Sequence, residues 1–71
     1  MIEDVVSFFE NEDEIPTYDQ ICGAYVDIGE GFSEKIIVET ELKIALLLDN
    51  KSKNRDYHWN KLISRWKERW C

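Results

Sequence analysis

The chain has 71 residues, and nine Lys and Arg against fifteen Asp and Glu give it a formal net charge of −6. A chain of this length buries about 60% of its unfolded surface on folding, which excludes a deep two-lobed active site. Because 44% of the residues are apolar and 13% are aromatic, the sequence also falls outside the disordered class. We predict one small globular domain over residues 1–71.

The first predicted element is a short amphipathic helix. Apolar residues recur there at the i, i+3, i+4 and i+7 spacing of one helical face, at Ile2, Val5, Val6 and Phe9. Phe8 points away from this face and needs a neighbouring element or a partner. A charged loop over residues 11–14 follows the helix.

The second predicted helix has the clearest start signal in the chain. Thr17 followed three residues later by Gln20 is a capping box, in which each side chain bonds the other residue's backbone N–H. The apolar spacing then repeats at Tyr18, Ile21, Cys22 and Tyr25. Two glycines, Gly29 and Gly31, favour a turn after the helix. Cys22 is expected to be a small buried hydrophobe and not a nucleophile.

Residues 33–49 fit two interpretations. As a helix capped by Ser33, the segment has one apolar side and a second row at Val38, Leu42, Ala45 and Leu46. As a strand over residues 36–46, the segment starts with three β-branched residues and then alternates, with the charged residues Glu39, Glu41 and Lys43 at every second position. Residues 41–48 are strong helix formers and no second strand is evident, so we predict a helix. The fold class is then mostly α, a small bundle of about four helices, with α+β as the alternative.

The last predicted helix runs from about Asp56 to the end, after a polar and basic connector. Its stripe of Trp59, Leu62, Ile63, Trp66 and Trp70 is the sharpest in the sequence. Lys61, Arg65 and Glu68 are expected on its opposite face. We predict that this helix packs across a central helix formed by residues 33–49. A homodimer that buries Val38, Leu42 and Leu46 is the alternative explanation for the second apolar row.

Several functions lack the residues that they need. The longest apolar run, residues 44–48, is far shorter than the roughly 20 residues of a membrane span, and no signal peptide is visible. His58 is the only histidine, no nucleophile stands beside it, and Cys22 and Cys71 match no metal or redox spacing. We therefore expect a cytoplasmic protein that is not an enzyme, with no cofactor, no metal and no membrane partner.

Charge is distributed unevenly along the chain. Ten acidic residues and no Lys or Arg precede Lys35, whereas nine basic and five acidic residues occur from Lys35 onward. Either the acidic half pairs with the basic carboxy-terminal segment, or one of the two meets a charged partner.

The sequence thus favours a small acidic regulator or inhibitor that binds a protein with a basic surface. That surface could be a nucleic-acid-binding cleft, which the carboxylates would occupy by imitating phosphates; by association alone, a phage or mobile-element origin is expected. The acidic candidates are Glu10, Glu12, Asp13, Glu14, Asp19, Asp27 and Glu30, and the aromatic candidates are Phe8, Phe32 and Trp70.

The alternative is nucleic-acid binding. Residues 17–25 and 33–48 have the order of a helix-turn-helix, but the second of these helices carries more acid than base and would repel phosphates. Basic and aromatic residues mix only in the carboxy-terminal region, where the candidates are Lys51, Lys53, Arg55, Lys61, Arg65, Lys67 and Arg69.

Overall fold

The computed structural model describes residues 2–53 and 55–70, and this part of the chain contains four helices and no strand. They are α1 (Ile2–Phe8), α2 (Tyr18–Asp27), α3 (Glu34–Ser52) and α4 (Tyr57–Trp70). The prediction of a small helical bundle is confirmed. The strand alternative for residues 36–46 is wrong, because the whole segment lies inside α3. None of the described helices has the length and apolarity to cross a membrane.

The predicted helix starts are present in the structure. The Gln20 backbone N–H donates to Thr17 Oγ1 at 3.1 Å, and the Thr17 N–H donates to Gln20 Oε1 at 2.9 Å, which completes the capping box. The Ser33 side chain accepts from the Ile36 N–H at the start of α3. α3 runs three residues further than predicted and ends where Lys53 takes the left-handed conformation, with φ of 60°.

α3 is the central helix. It contacts each of the other three helices, and α4 runs back along it as a helical hairpin. The core between them is built from fully buried aliphatic side chains of all four helices, among them Val5, Ile21, Ile37, Ile44, Leu48 and Leu62. The Cα positions extend 33 × 30 × 14 Å, so the domain is a flat slab.

Three neighbouring helices do not cover the whole of α3. Val38 and Leu42 are only partly buried, and Leu46 stays 52% exposed. The prediction of a central helix is therefore correct, yet part of the second apolar row remains in contact with solvent.

Candidate interaction surface

The loop between α1 and α2 carries the densest run of acidic residues, and we call residues 10–16 the acidic loop. The side chains of Glu10, Glu12, Asp13 and Glu14 are exposed. Ile15 and Pro16, at the end of the loop, are buried, and Ile15 belongs to the hydrophobic core. One end of the loop is therefore fixed by apolar packing while its carboxylates face water.

Basic side chains from α3 and α4 hold this loop by its backbone. Lys51 Nζ donates to the Glu10 carbonyl at 2.6 Å, and His58 Nε2 lies 2.8 Å from the Asp13 carbonyl. Arg65 donates to the carbonyls of Pro16 and Ile15, at 2.8 and 3.3 Å. These bonds satisfy backbone acceptors and do not neutralise the loop carboxylates.

One loop carboxylate has a cationic partner in the described residues. Lys61 Nζ donates to both oxygens of Glu14, at 3.2 and 3.1 Å. Both side chains are about half exposed, so this pair adds little stability. Lys61 also lies over the Tyr57 ring, 4.5 Å from its centroid. The acidic half does pair with the basic segment, but mainly through carbonyls.

His58 links the acidic loop to the start of α4. Its side chain is buried, and Nδ1 lies 2.9 Å from Asp49 Oδ1 on α3. Asp49 also accepts the backbone N–H groups of His58 and Trp59, at 2.7 and 3.1 Å, which caps α4. Burial alone raises the pKa of Asp49, but these bonds outweigh it and hold that pKa below its ordinary value. His58 thus packs inside the fold and connects the acidic loop to α3.

Glu41 is the fully buried carboxylate of the described residues, and it lies where α3 and α4 meet. Arg69 donates to both of its oxygens, at 2.8 and 2.9 Å. Arg65 and the Trp66 indole each add a bond of 3.2 Å. Burial by itself raises the pKa of Glu41, but the bonds from Arg69, Trp66 and Arg65 and the charge of Arg69 lower it below the ordinary value.

This cluster corrects the sequence analysis at three positions. Arg65 was expected on the outer face of α4, and it instead reaches Glu41 and the acidic loop. Arg69 was a candidate for nucleic-acid binding, and it instead pairs with Glu41 and stacks 4.9 Å from the Tyr18 ring. Glu41 itself was not singled out. Two arginines four residues apart beside a tryptophan signal a carboxylate partner, but the sequence does not say which of fifteen acids it is.

The seven basic candidates for nucleic-acid binding divide into two groups. Internal contacts engage Lys51, Lys61, Arg65 and Arg69. The others are exposed, and no described residue pairs with them; they are Lys53, Arg55 and Lys67. α3, the would-be recognition helix, is packed against three other helices. Four of the seven candidates are therefore engaged within the fold, and the nucleic-acid alternative stays a prediction.

Two surface depressions adjoin along α2. One, of about 270 Å³, is lined by loop residues 12–16 and Gln20. The other, of about 330 Å³, lies between α1 and α2, and its lining includes Phe8, Gln20 and Asp27. Since Gln20 borders both, the acidic cleft and the apolar groove form one continuous surface, on which Phe8 is 55% exposed. Exposed Asp19 is next to Gln20 in sequence.

The remaining candidates lie elsewhere. Glu30 lines a separate depression of about 260 Å³ with Ile2 and Tyr25. Phe32 is 40% exposed and packs 5.7 Å from the Tyr25 ring. Trp70, near the end of α4, is 49% exposed and lies 6.0 Å from Trp66. All three aromatic candidates thus keep exposed surface, but they do not form one patch.

The described residues contain no group of three or more His, Cys, Asp or Glu placed to hold a metal ion. Cys22 is partly buried against the core, as expected for a structural thiol, and burial raises the pKa of its sulfur. Comparison with protein-family models, with curated proteins and with solved structures finds no match to this chain.

Proposed function

We propose that this protein is a non-enzymatic regulator or inhibitor that docks on a basic surface of a protein partner. The docking surface is the acidic loop together with the adjoining groove at Phe8. The observation that carries this proposal is that Lys51, His58 and Arg65 hold the loop by its carbonyls and leave most of its carboxylates free.

Such an arrangement suits binding for two physical reasons. A loop whose backbone is already fixed loses little conformational freedom on association, so less of the interaction free energy is spent on ordering it. Carboxylates without internal counter-charges also attract a basic partner over distance, which raises the association rate and disfavours acidic competitors. Phe8 supplies an apolar anchor beside the charges, of the kind that concentrates binding energy.

The finer form of the proposal is that the partner's basic surface is itself a nucleic-acid-binding cleft. The loop carboxylates would then occupy the positions of phosphates, and the protein would act as an inhibitor by exclusion. This form makes a prediction of its own. Because the protein and nucleic acid would compete for the same cleft, added duplex DNA or RNA should displace the protein from its partner.

The test uses a matched pair of charge-removing variants on an affinity column. The loop variant carries Glu12→Gln and Asp13→Asn, and the control carries Glu39→Gln and Glu68→Gln, which remove the same charge from α3 and α4. Nuclease-treated lysate is passed over each column, the retained protein is identified and purified, and its Kd is measured by titration calorimetry at several salt concentrations.

The proposal expects the loop variant to bind at least about tenfold more weakly and to lose part of the salt dependence, while the control stays within about twofold. Equal binding by the two variants would refute it. In a separate titration, binding of purified duplex DNA that is abolished by Lys53→Gln together with Arg55→Gln would favour the alternative function instead.

A further inference from the structure

His58 is a buried titratable side chain that joins the acidic loop to the rest of the fold. It is 3% exposed and lies between α3 and the loop. Both of its ring nitrogens have an oxygen at hydrogen-bond distance. Nδ1 is 2.9 Å from Asp49 Oδ1, and Nε2 is 2.8 Å from the Asp13 carbonyl. The chemistry of these two oxygens decides how many protons the ring carries.

Neither oxygen can supply the proton of its hydrogen bond. A backbone carbonyl only accepts, so the bond to Asp13 requires a proton on Nε2. Burial alone raises the pKa of Asp49, but the N–H groups that it accepts lower that pKa below its ordinary value. At neutral pH this carboxylate therefore also only accepts, and the second bond requires a proton on Nδ1. A neutral imidazole has one N–H and the imidazolium cation has two, so the geometry fits the cation.

A neutral ring could not keep both bonds. The negative charge of Asp49 holds the proton on Nδ1, so the proton that leaves is the one on Nε2. A lone pair of Nε2 would then face the lone pairs of the Asp13 carbonyl at 2.8 Å, which is repulsive. Because the side chain is buried, water cannot take the place of the carbonyl unless the loop moves away. Loss of one proton therefore opposes the anchored position of the loop.

The titratable and charged groups around the ring come from three elements, and they are Asp49 on α3, Asp13 and Glu14 on the acidic loop, and Tyr57 and Lys61 on α4. The Tyr57 ring meets the imidazole edge to face at 5.0 Å, and Lys61 lies over Tyr57 and donates to Glu14. Carboxyl groups ordinarily titrate at lower pH than histidine, and tyrosine and lysine at higher pH. A change of pH between about 5 and 8 therefore acts on the histidine of this group and not on its neighbours.

We propose that His58 is an imidazolium cation in the folded protein and that loss of its Nε2 proton releases the middle of the acidic loop. The loop is fastened at Asp13 when the ring is charged and loosened there when the ring is neutral. Lys51 and Arg65 bind carbonyls nearer the two ends of the loop in both states, because lysine and arginine stay protonated throughout this pH range. The release is therefore local to residues 12–14.

A loop that is fastened by a proton makes docking dependent on pH, and this consequence alone rests on the proposed function. An ordered loop loses less conformational freedom on association, so the partner should bind more weakly once the ring is neutral. The order of the loop itself is a property of the free protein. It can be measured without a partner, so failure of the docking surface and failure of the histidine switch are distinguishable.

The test is nuclear magnetic resonance of the ¹⁵N-labelled free protein between about pH 5.5 and pH 9. His58 is the only histidine of the chain, so its ring nitrogens give the only imidazole signals. Both nitrogens should carry a proton while residues 12–14 are ordered. As Nε2 loses its proton, the backbone order parameters of these residues should fall from about 0.85 to below about 0.6, whereas those of α2 should stay unchanged.

Two variants without a titrating side chain separate the two ring bonds. His58→Gln carries an amide N–H at the distance of Nε2, so it can bind the Asp13 carbonyl and should keep the loop ordered at every pH tested. His58→Asn reaches only the position of Nδ1, so it can bind Asp49 alone and should leave the loop mobile at every pH tested. Circular dichroism and urea unfolding confirm that each variant is folded.

A ring that carries a single proton while residues 12–14 are ordered would refute the proposal, because a neutral histidine would then hold the loop. A ring that loses its proton with no change in the order of the loop would refute it as well, and this measurement on the wild type does not depend on the variants. If the ring keeps both protons up to pH 9, His58→Asn supplies the state without the Nε2 donor, and an ordered loop in that variant would contradict the release.

Discussion

Two groups of carboxylates in this protein have the same chemistry and opposite environments. Glu41 is fully buried and receives four hydrogen bonds from Arg65, Trp66 and Arg69. Glu12 and Asp13 are exposed, and the loop that carries them is held by its carbonyls. The difference arises because Arg65 and Arg69 bind Glu41 at the α3–α4 contact, while Lys51 and Arg65 bind carbonyls of the loop. The surface charge that remains is therefore a product of the packing.

The largest expected effect comes from removing the buried charge. Glu41→Gln keeps the shape of the side chain but leaves Arg65 and Arg69 facing a neutral amide. Breaking a buried ion pair costs about 3–5 kcal/mol, and the lower end is expected here because both arginines keep some exposure to water. Urea unfolding followed by circular dichroism measures the change. The matched control, Glu39→Gln on the same helix, should shift stability by less than about 0.5 kcal/mol.

Such a loss is a large part of the total stability, which for 71 residues is about 4–11 kcal/mol. If Glu41→Gln and Glu39→Gln unfold at the same urea concentration, the buried cluster does not hold α4 on α3 and the comparison above fails.

The next effect is a loss of stability in acid. The pKa values of Glu41 and Asp49 lie below their ordinary values of 4.5 and 3.8 in the folded chain. The unfolded state therefore binds these protons more readily, so both groups stabilise the fold above their ordinary pKa values. That stabilisation disappears as the pH falls through the folded pKa values.

Urea midpoints measured between about pH 6 and pH 2 test this dependence. Glu41→Gln lacks one of the two titrating groups, so its midpoint should fall less steeply than that of the wild type. Parallel curves for the two proteins would show that Glu41 has the same proton affinity in the folded and unfolded states.

The smallest of these effects concerns the anchoring of the acidic loop. His58→Phe keeps a planar ring but removes both ring hydrogen bonds, leaving the Asp13 carbonyl and Asp49 each with one bond fewer. The expected loss is about 1–3 kcal/mol, the cost of unsatisfied buried acceptors. Amide hydrogen exchange in the loop should also accelerate more than exchange in α2.

Asn60→Ala, an exposed change on the same helix, is the control and should leave both stability and loop exchange unchanged. Should His58→Phe destabilise the chain without faster exchange at residues 10–16, His58 would serve the core alone and not the loop.

Local sequence signals predicted most of the helices. Apolar spacing located α1, α2 and α4, and the side chains of Thr17 and Ser33 marked the starts of α2 and α3, because these signals involve residues within one or two turns of each other. The end of α3 was misplaced by three residues because polar residues 50–52 continue the helix and Lys53 ends it in a left-handed conformation that glycine usually adopts.

The long-range contacts were beyond such signals. Whether Glu41 is buried depends on the register between α3 and α4, and Arg65 is assigned to the inner side only once residues 15 and 16 are known to lie beneath it. Charge counting found the imbalance between the two halves. The charge count could not predict that basic side chains would bind backbone carbonyls, because every residue has a carbonyl whatever its side chain.

The anchors of the acidic loop have a consequence for the order of folding. The bonds to its carbonyls join residues that are 41 to 50 positions apart in sequence. α1, α2 and the first turns of α3 form from local contacts, but the loop takes its final shape only after α4 has docked. During synthesis the charged surface is therefore completed only after α4 has been made. A proteolytic cut in the connector before α4 would allow α4 to dissociate, and the loop would then lose His58, Lys61 and Arg65 and keep only Lys51, with none of its acidic residues changed.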